Sequence, residues 1–291
     1  MTRPSIQYSW AIVLLTLLLN GCSVGQMVAR TSVTMLDGGV EAMNRESDLE
    51  LAREAIPANL KLMEGLLYKD PGNRSLRQYA AEGFYGYAFG FVELDDPRRA
   101  AELYRRGYEH GREGLRRLGV ELELEIASPD AIRTAVAPLK ADAVPLLFWT
   151  ASNWAKRIDL DRTNPSMIAQ LSGSAALMER VMELDPGFHH GSPDLFFAVY
   201  YGSRAPMFGG DYARAAAHFA RANELNSHRL LLVDVLYAEY LARQMLDQES
   251  FRTRLTRVQE APDGLLPEME LANVIAKRRA AWLLQQEEEW F

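Results

Sequence analysis

A helical pattern occurs twice in this chain, at an offset of 115 residues. In each copy an aliphatic segment ends at an Asp-Pro-Gly motif, first at Asp70–Gly72 and again at Asp185–Gly187. The residue before a proline is pushed out of the helical region, so each motif predicts the end of a helix. A segment rich in aromatic residues follows both motifs. Because repeated units bury their apolar faces against their neighbours, this duplication predicts a stack of helices.

The last helix of each copy carries an alanine, an aromatic residue four positions later and a small residue three positions after that. These positions share one helical face, and the small residue lets a neighbouring helix approach closely. The pattern resembles the second helix of a tetratricopeptide (TPR) unit, although the spacing from methionine to aromatic residue is 41 residues, against about 34 for a standard repeat. We therefore predict an all-α, TPR-like helical solenoid of about ten or eleven helices. The equivalent pairs are Met63 and Met178, Asp96 and Asp211, Ala100 and Ala215, Tyr104 and Phe219, and Gly107 and Ala222.

The composition also favours helices. Alanine, leucine, arginine and glutamate are common and β-branched residues are sparse, a balance that disfavours strands. The segment Val120–Ile126 alternates between apolar and acidic residues, and we predict either a loop or a short extended piece there. Further helices are predicted at Pro145–Ile158, Ser166–Leu184, Arg229–Arg243, Gln248–Glu260 and Pro267–Glu288.

The N-terminus has the pattern of a secretory signal. Arg3 precedes the apolar run Trp10–Leu19, which is too short to span a bilayer because a spanning helix needs about 20 residues. The run is followed by Leu19–Cys22, which resembles the lipobox of bacterial lipoproteins, and Cys22 is the only cysteine in the chain. Acylation would remove a lone thiol from an oxidising compartment. An uncleaved signal with an incidental cysteine is the alternative.

Three parts are therefore expected. Residues 1–21 would be a lipoprotein signal peptide, residues 22–45 the lipidated cysteine and a linker, and residues 46–291 the TPR-like helical domain. Ser23 follows the cysteine, which under lipoprotein sorting rules permits transport to the outer membrane; the inner membrane is the alternative location.

Several function classes are disfavoured. The net charge of −7 argues against a nucleic-acid partner, since that function requires a basic surface. The sequence has no Gly-x-Ser-x-Gly elbow, no Walker A loop and no His-Glu-x-x-His motif. His189 and His190 lie near Asp185 and Asp194, but adjacent residues point in different directions, which favours a polar helix boundary over a metal site. We predict a protein that is not an enzyme and has no cofactor.

Five motifs resemble the T component associated with TRAP transporters (the TatT-like family). This resemblance implies a periplasmic TPR-like lipoprotein that forms a homotrimer and binds the periplasmic solute-binding protein of a TRAP transporter. It also implies an internal apolar cavity for a hydrophobic or organic-acid ligand. A TPR lipoprotein scaffold for outer-membrane or envelope assembly is the alternative function. The motifs are Leu147–Trp154, Tyr200–Arg204, Gly209–Asp211, Ala216–Ala222 and Ala276–Leu283.

Six residues are candidates for ligand binding. Trp149, Asn153 and Lys156 are spaced i, i+4 and i+7, so we expect one helical face to present an aromatic ring, an amide and a cation. On the aromatic helix of the second copy, a ligand carboxylate would form a bidentate pair with the guanidinium of Arg204. A purely structural role in the core is the alternative for these side chains. The remaining candidates are Tyr200 and Tyr201.

Overall fold

The computed structural model describes residues 24–291, and within this range it contains helices and no strand. The predicted signal peptide and Cys22 lie outside the described residues. The all-α, TPR-like fold class predicted from the sequence is confirmed. The helices are α1 (Val24–Asn44), α2 (Leu49–Leu67), α3 (Arg74–Tyr87), α4 (Pro97–Arg116), α5 (Pro129–Val136), α6 (Val144–Asp159), α7 (Pro165–Ile168), α8 (Leu171–Leu184), α9 (Phe188–Gly202), α10 (Tyr212–Asn226), α11 (Leu232–Leu236), α12 (Gln248–Glu260), α13 (Glu270–Gln285) and α14 (Glu287–Trp290).

Two of these α-helices continue directly into a π-helical turn. α3 continues into a π-helical turn at Ala88–Val92, and α11 continues through a π-helical turn at Tyr237–Ala242 into Arg243–Met245. Such π turns are rare and are frequently found at functional sites. Here each π turn adjoins an ionic cluster at one end of the cavity described below.

Residues 120–126 form a loop, one of the two predicted alternatives, in which Val120 and Leu124 are buried. The structure differs from the sequence-based expectation in two places. Residues 24–44, expected to be a linker, form α1, because Leu36 and Met43 recur at helical spacing and pack against the core. The helices outnumber the expected ten or eleven, because α1 lies in the expected linker and the one-turn helices α7 and α14 interrupt segments that were each predicted as one helix.

The duplication is visible at the start of α4 and of α10. The side chain of Asp96 accepts a hydrogen bond from the backbone N–H of Arg99 at 3.0 Å, and Asp211 accepts one from Arg214 at 3.0 Å. An N-cap of this kind contributes about 1 kcal/mol. The equivalent residues one turn and two turns later are buried in both copies. They are Ala100, Tyr104, Ala215 and Phe219.

Glycines on α4 determine where α6 lies. A Cβ atom on Gly107 would fall 2.2 Å from Oδ1 of Asn153, and one on Gly111 would fall 2.2 Å from Oγ1 of Thr150. On the same helical face, a Cβ atom on Gly114 would fall 2.5 Å from Cδ2 of Leu146. These contacts are closer than any larger residue allows, so the glycines fix both the distance and the rotation of α6.

α6 and α9 run parallel to each other and enclose a space between them. Near their first residues, the rings of Phe148 and Phe188 lie 5.1 Å apart. Near their last residues, Nη1 of Arg162 donates a hydrogen bond to the carbonyl of Ser203 at 3.5 Å. Two of the buried apolar clusters formed by residues 24–291 contribute side chains to the walls of this space. Within the same residues, no helix combines the length and apolarity that crossing a membrane requires.

Candidate functional site

An elongated cavity of about 760 Å³ lies between the helices. Its walls are formed mainly by α1, α2, α3, α6, α9, α11 and α13. The volume is within the range of about 300–1,000 Å³ that is typical of ligand pockets in proteins. Because α6 borders the cavity from Phe148 to Asp159, the helical rise of 1.5 Å per residue gives a length of more than about 15 Å.

Aromatic rings form much of the cavity wall. The ring centroid of Trp149 lies 5.3 Å from that of Tyr85 and 4.8 Å from that of Phe148. Phe196 and Tyr200 on α9 line the opposite wall, with their rings stacked at 6.4 Å. Such a surface favours an apolar ligand, since burial contributes about 25 cal/mol per Å² of apolar surface.

Charged side chains are concentrated at the end of the cavity where α6 and α9 finish. Nζ of Lys156 donates to Oε1 of Glu93 at 2.8 Å and to Oδ2 of Asp159 at 3.2 Å. Tyr240 lies in the π turn that continues α11, and its hydroxyl donates to Oδ2 of Asp159 at 2.8 Å. Arg162 forms a further ion pair with Asp159. Two of the cations at this end are therefore neutralised by carboxylates of the protein.

Electrostatics hold this ionic cluster in its charged form. Burial alone would raise the pKa of Asp159, but the positive charges of Lys156 and Arg162 lower it to about 2. The pKa of Glu93 is likewise lowered, against the effect of burial, by Lys156 and by Arg279. Arg279 is 3% exposed and also pairs with a second carboxylate at 2.6 Å. Because its charges balance within the protein, we assign this cluster a mainly structural role.

Arg204 differs from the other cations that line the cavity. Its guanidinium lies 4.4 Å from the ring centroid of Tyr200, and its Nε and Nη2 atoms donate to the backbone carbonyl of the same tyrosine at 3.2 and 2.8 Å. Among the described residues no carboxylate forms an ion pair with Arg204. These contacts hold a positively charged, partly exposed group in place at the cavity wall without neutralising it.

The opposite end of the cavity carries two titratable side chains, Glu82 and His189. Burial raises the pKa of the Glu82 carboxyl to about 7, an effect only partly offset by the nearby indole of Trp149. Among the described residues, the indole N–H makes no hydrogen bond of normal geometry. His189 packs edge-on against the same indole at 5.4 Å, and burial lowers the pKa of its imidazole to about 4.

The backbone that carries His189 is in a left-handed conformation. The φ angles are 44° at His189, 60° at His190 and 90° at Gly191, within the first turn of α9. Residues other than glycine rarely adopt positive φ, and such a conformation costs of order 1–3 kcal/mol. The kink turns the imidazole of His189 towards the cavity, where it is in contact with the rings of α6.

The structure separates the six sequence-based candidates. Trp149, Lys156, Tyr200 and Arg204 line the cavity. Asn153 faces Gly107 of α4, and its amide donates to the carbonyl of Ala81 on α3 at 2.9 Å and to that of Trp149 at 2.8 Å. The three side chains do not share one face as expected. Positions i and i+4 differ by about 40° around the helix axis, and this rotation turns the amide of Asn153 towards the glycines of α4 instead of the cavity. The ring of Tyr201 also lies outside the cavity lining, stacked on His218 at 5.8 Å.

Sequence reasoning did not find several residues that line the cavity. Asp159, Arg162 and Tyr240 come from separate segments and meet only through tertiary packing. A signal for Glu82 was present, because an acidic residue directly precedes the apolar run Gly83–Val92 on a helix that is otherwise buried. The sequence pattern of the histidine pair at the start of α9 indicates only a polar helix boundary, whereas His189 lines the cavity.

The fold and the cavity define a helical, TPR-like protein with an internal apolar cavity. The family model described as TRAP transporter T-component matches residues 45–291, so the chain belongs to this family. The chain is also similar to an uncharacterized protein of Treponema pallidum (strain Nichols), with 21% identity over 321 residues that include 100% of this chain and 99% of the relative. Membership makes the protein an accessory component of a TRAP transport system in the cell envelope, in a family that is not known as an enzyme family.

Proposed function

We propose that this protein binds an amphiphilic carboxylate in its cavity as part of its accessory role in TRAP-type uptake. The observation that carries the proposal concerns Arg204. Its guanidinium is held in place beside an apolar cavity, and among the described residues no carboxylate pairs with it. A ligand carboxylate would accept charge-assisted hydrogen bonds from this guanidinium. The apolar part of the ligand would lie against the aromatic walls, where its transfer from water is favourable.

The direct test is calorimetric titration of hexadecanoate into residues 24–291, compared between the wild type and Arg204→Ala. Losing hydrogen bonds to a charged group costs about 1.5–3 kcal/mol, so the variant should bind about 10- to 100-fold more weakly. Its melting temperature should change little, because the hydrogen bonds of Arg204 are made to its own helix.

Arg214 provides a matched control. Its guanidinium also stacks on a tyrosine, 4.0 Å from the ring centroid of Tyr201, but it lies outside the cavity. Arg214→Ala should therefore bind hexadecanoate as the wild type does. Equal affinities for wild type and Arg204→Ala, or the same loss in both variants, would refute the carboxylate site.

The same proposal includes the periplasmic solute-binding protein of the transporter as partner. The family supports this partner, and the structure offers a surface beside the cavity. Met207 and Phe208, on the loop between α9 and α10, are 83% and 70% exposed, and Phe208 also lines the cavity. Large apolar side chains exposed together are typical of interaction sites. Docking at this loop would place the partner beside the ligand.

Analytical ultracentrifugation of residues 24–291 with the solute-binding protein encoded beside it tests this surface. Changing Met207 and Phe208 to serine should weaken the complex at least tenfold, whereas Tyr68→Ser should not, although Tyr68 is 86% exposed elsewhere. Separate species at tens of micromolar in the wild-type mixture would refute the partner. The envelope-assembly scaffold would then be the better assignment.

Anchoring and assembly complete the proposal. An acylated Cys22 would hold the protein at the periplasmic face of the outer membrane, or alternatively of the inner membrane. Confinement near one membrane raises the effective concentration of partners located there. The family resemblance supports a homotrimer, which light scattering of residues 24–291 would detect as three times the monomer mass.

A further inference from the structure

The end of the cavity opposite Arg204 has its own polar groups. Glu82 and His189 both line the cavity and both lie beside the indole of Trp149. The nearest charged residue of α6 that lines the cavity is Lys156, two turns or about 10 Å further along. The walls around the two groups are otherwise largely aromatic and aliphatic. Placing a carboxyl group and an imidazole in such surroundings is costly unless something forms hydrogen bonds with them.

Neither group forms an ion pair among the described residues. The carboxyl of Glu82 interacts there with the side chains of Trp149 and Tyr79, and the hydroxyl of Tyr79 donates its hydrogen bond to Asp37 instead. The ring nitrogens of His189 make no hydrogen bond within the same residues, and the other charged groups that affect it are His190 and Asp185. Both groups are therefore free to interact with something inside the cavity.

We propose that Glu82 and His189 bind a neutral hydrogen-bonding group, a hydroxyl or a carbonyl, at the far end of the ligand whose carboxylate lies at Arg204. A carboxyl group and a neutral imidazole can each donate and accept, so together they satisfy both the proton and the lone pairs of a hydroxyl. A chain that ends in a methyl group would displace water from both groups and leave them unpaired, which disfavours it.

The proposal specifies a class of ligand. The two polar ends of the cavity are separated by about 15 Å of largely apolar wall, measured along α6 from Trp149 to Asp159. A long-chain carboxylate that carries a hydroxyl or carbonyl near its other end matches this arrangement. This inference rests on the carboxylate site proposed above and extends it from a simple fatty acid to a molecule with two polar ends.

The test compares hexadecanoate with 16-hydroxyhexadecanoate by calorimetric titration at pH 6, where most of Glu82 is protonated, using residues 24–291, which supply the buried clusters of the fold. The hydroxy acid should bind about three- to tenfold more tightly, the effect of one satisfied hydrogen bond. In Glu82→Leu this preference should disappear. In Glu82→Gln, which keeps a donor and an acceptor, the preference should remain.

The outcomes separate this inference from the proposed function. If neither acid binds the wild type, both fail. If hexadecanoate binds and loses affinity in Arg204→Ala, but the hydroxy acid is not preferred or Glu82→Leu keeps the preference, only this inference is overturned. Tighter binding of hexadecanedioate than of the hydroxy acid would also overturn it, because a second carboxylate would then be favoured beside Glu82. Circular dichroism and thermal melts confirm that each variant is folded.

Discussion

The ionisation of Glu82 makes the stability of the ligand-free protein depend on pH. Burial raises the pKa of its carboxyl from an ordinary value of 4.5 to about 7, so between these values the unfolded chain releases the proton and the folded protein retains it. The folded state then binds more protons than the unfolded state, and stability falls as pH rises through this window. Each unit of difference between the folded and unfolded pKa values is equivalent to 1.36 kcal/mol, so the full loss in the free energy of unfolding is about 3 kcal/mol.

Replacing Glu82 by glutamine removes this loss. The free energy of unfolding of Glu82→Gln, relative to that of the wild type, should rise by about 2 kcal/mol between pH 5 and pH 8, because part of the difference is already present at pH 5. Urea unfolding of delipidated residues 24–291 at both pH values measures this change. Glu54→Gln, at an exposed position on α2, is the control. If the difference in unfolding free energy between Glu82→Gln and the wild type is the same at both pH values, Glu82 is hydrated and ionised. Our description of this end of the cavity would then be wrong.

Three further predictions concern packing, the ionic cluster and the anchor. Gly107→Ala should destabilise the protein by about 1–3 kcal/mol in urea unfolding, because the new methyl group overlaps Asn153. Gly65→Ala, where nothing lies within 4 Å, should stabilise it by up to about 1 kcal/mol, and the opposite order would refute the packing argument. Arg279→Leu should cost about 3–5 kcal/mol by the same assay, since it leaves buried carboxylates without their cation. Cys22→Ala should abolish labelling by radioactive palmitate, and a mutant that still labels would exclude this anchor.

Local features of the fold were predictable because they depend on neighbouring residues. The capping aspartates Asp96 and Asp211 and the helix ends at the two Asp-Pro-Gly motifs are set by backbone hydrogen bonding and sterics. The buried alanine and aromatic positions of α4 and α10 follow from periodicity alone. The division of Ser166–Leu184 into α7 and α8 was missed, because residues between them contain no proline or glycine that would mark the break.

The site was only partly predictable because it depends on how each helix is rotated. Periodicity places Trp149, Asn153 and Lys156 close together on α6, but the glycines of α4 decide which of them faces the cavity. Tyr200 and Tyr201 are both aromatic, yet only the first lines the cavity. The kink at the start of α9 is a tertiary effect, since the sequence alone does not predict two histidines at positive φ.

The central claim, that the cavity holds an amphiphilic carboxylate, is tested most directly by fluorescence quenching with a brominated fatty acid. Bromine quenches only nearby indoles, and Trp149 is the tryptophan of the described residues that lines the cavity. Titration of 9,10-dibromostearate into residues 24–291 should quench the wild type and Trp282→Phe, and most of the quenching should be lost in a folded Trp149→Phe variant. Undiminished quenching in Trp149→Phe would show that the fatty acid binds elsewhere, and it would contradict the proposed function.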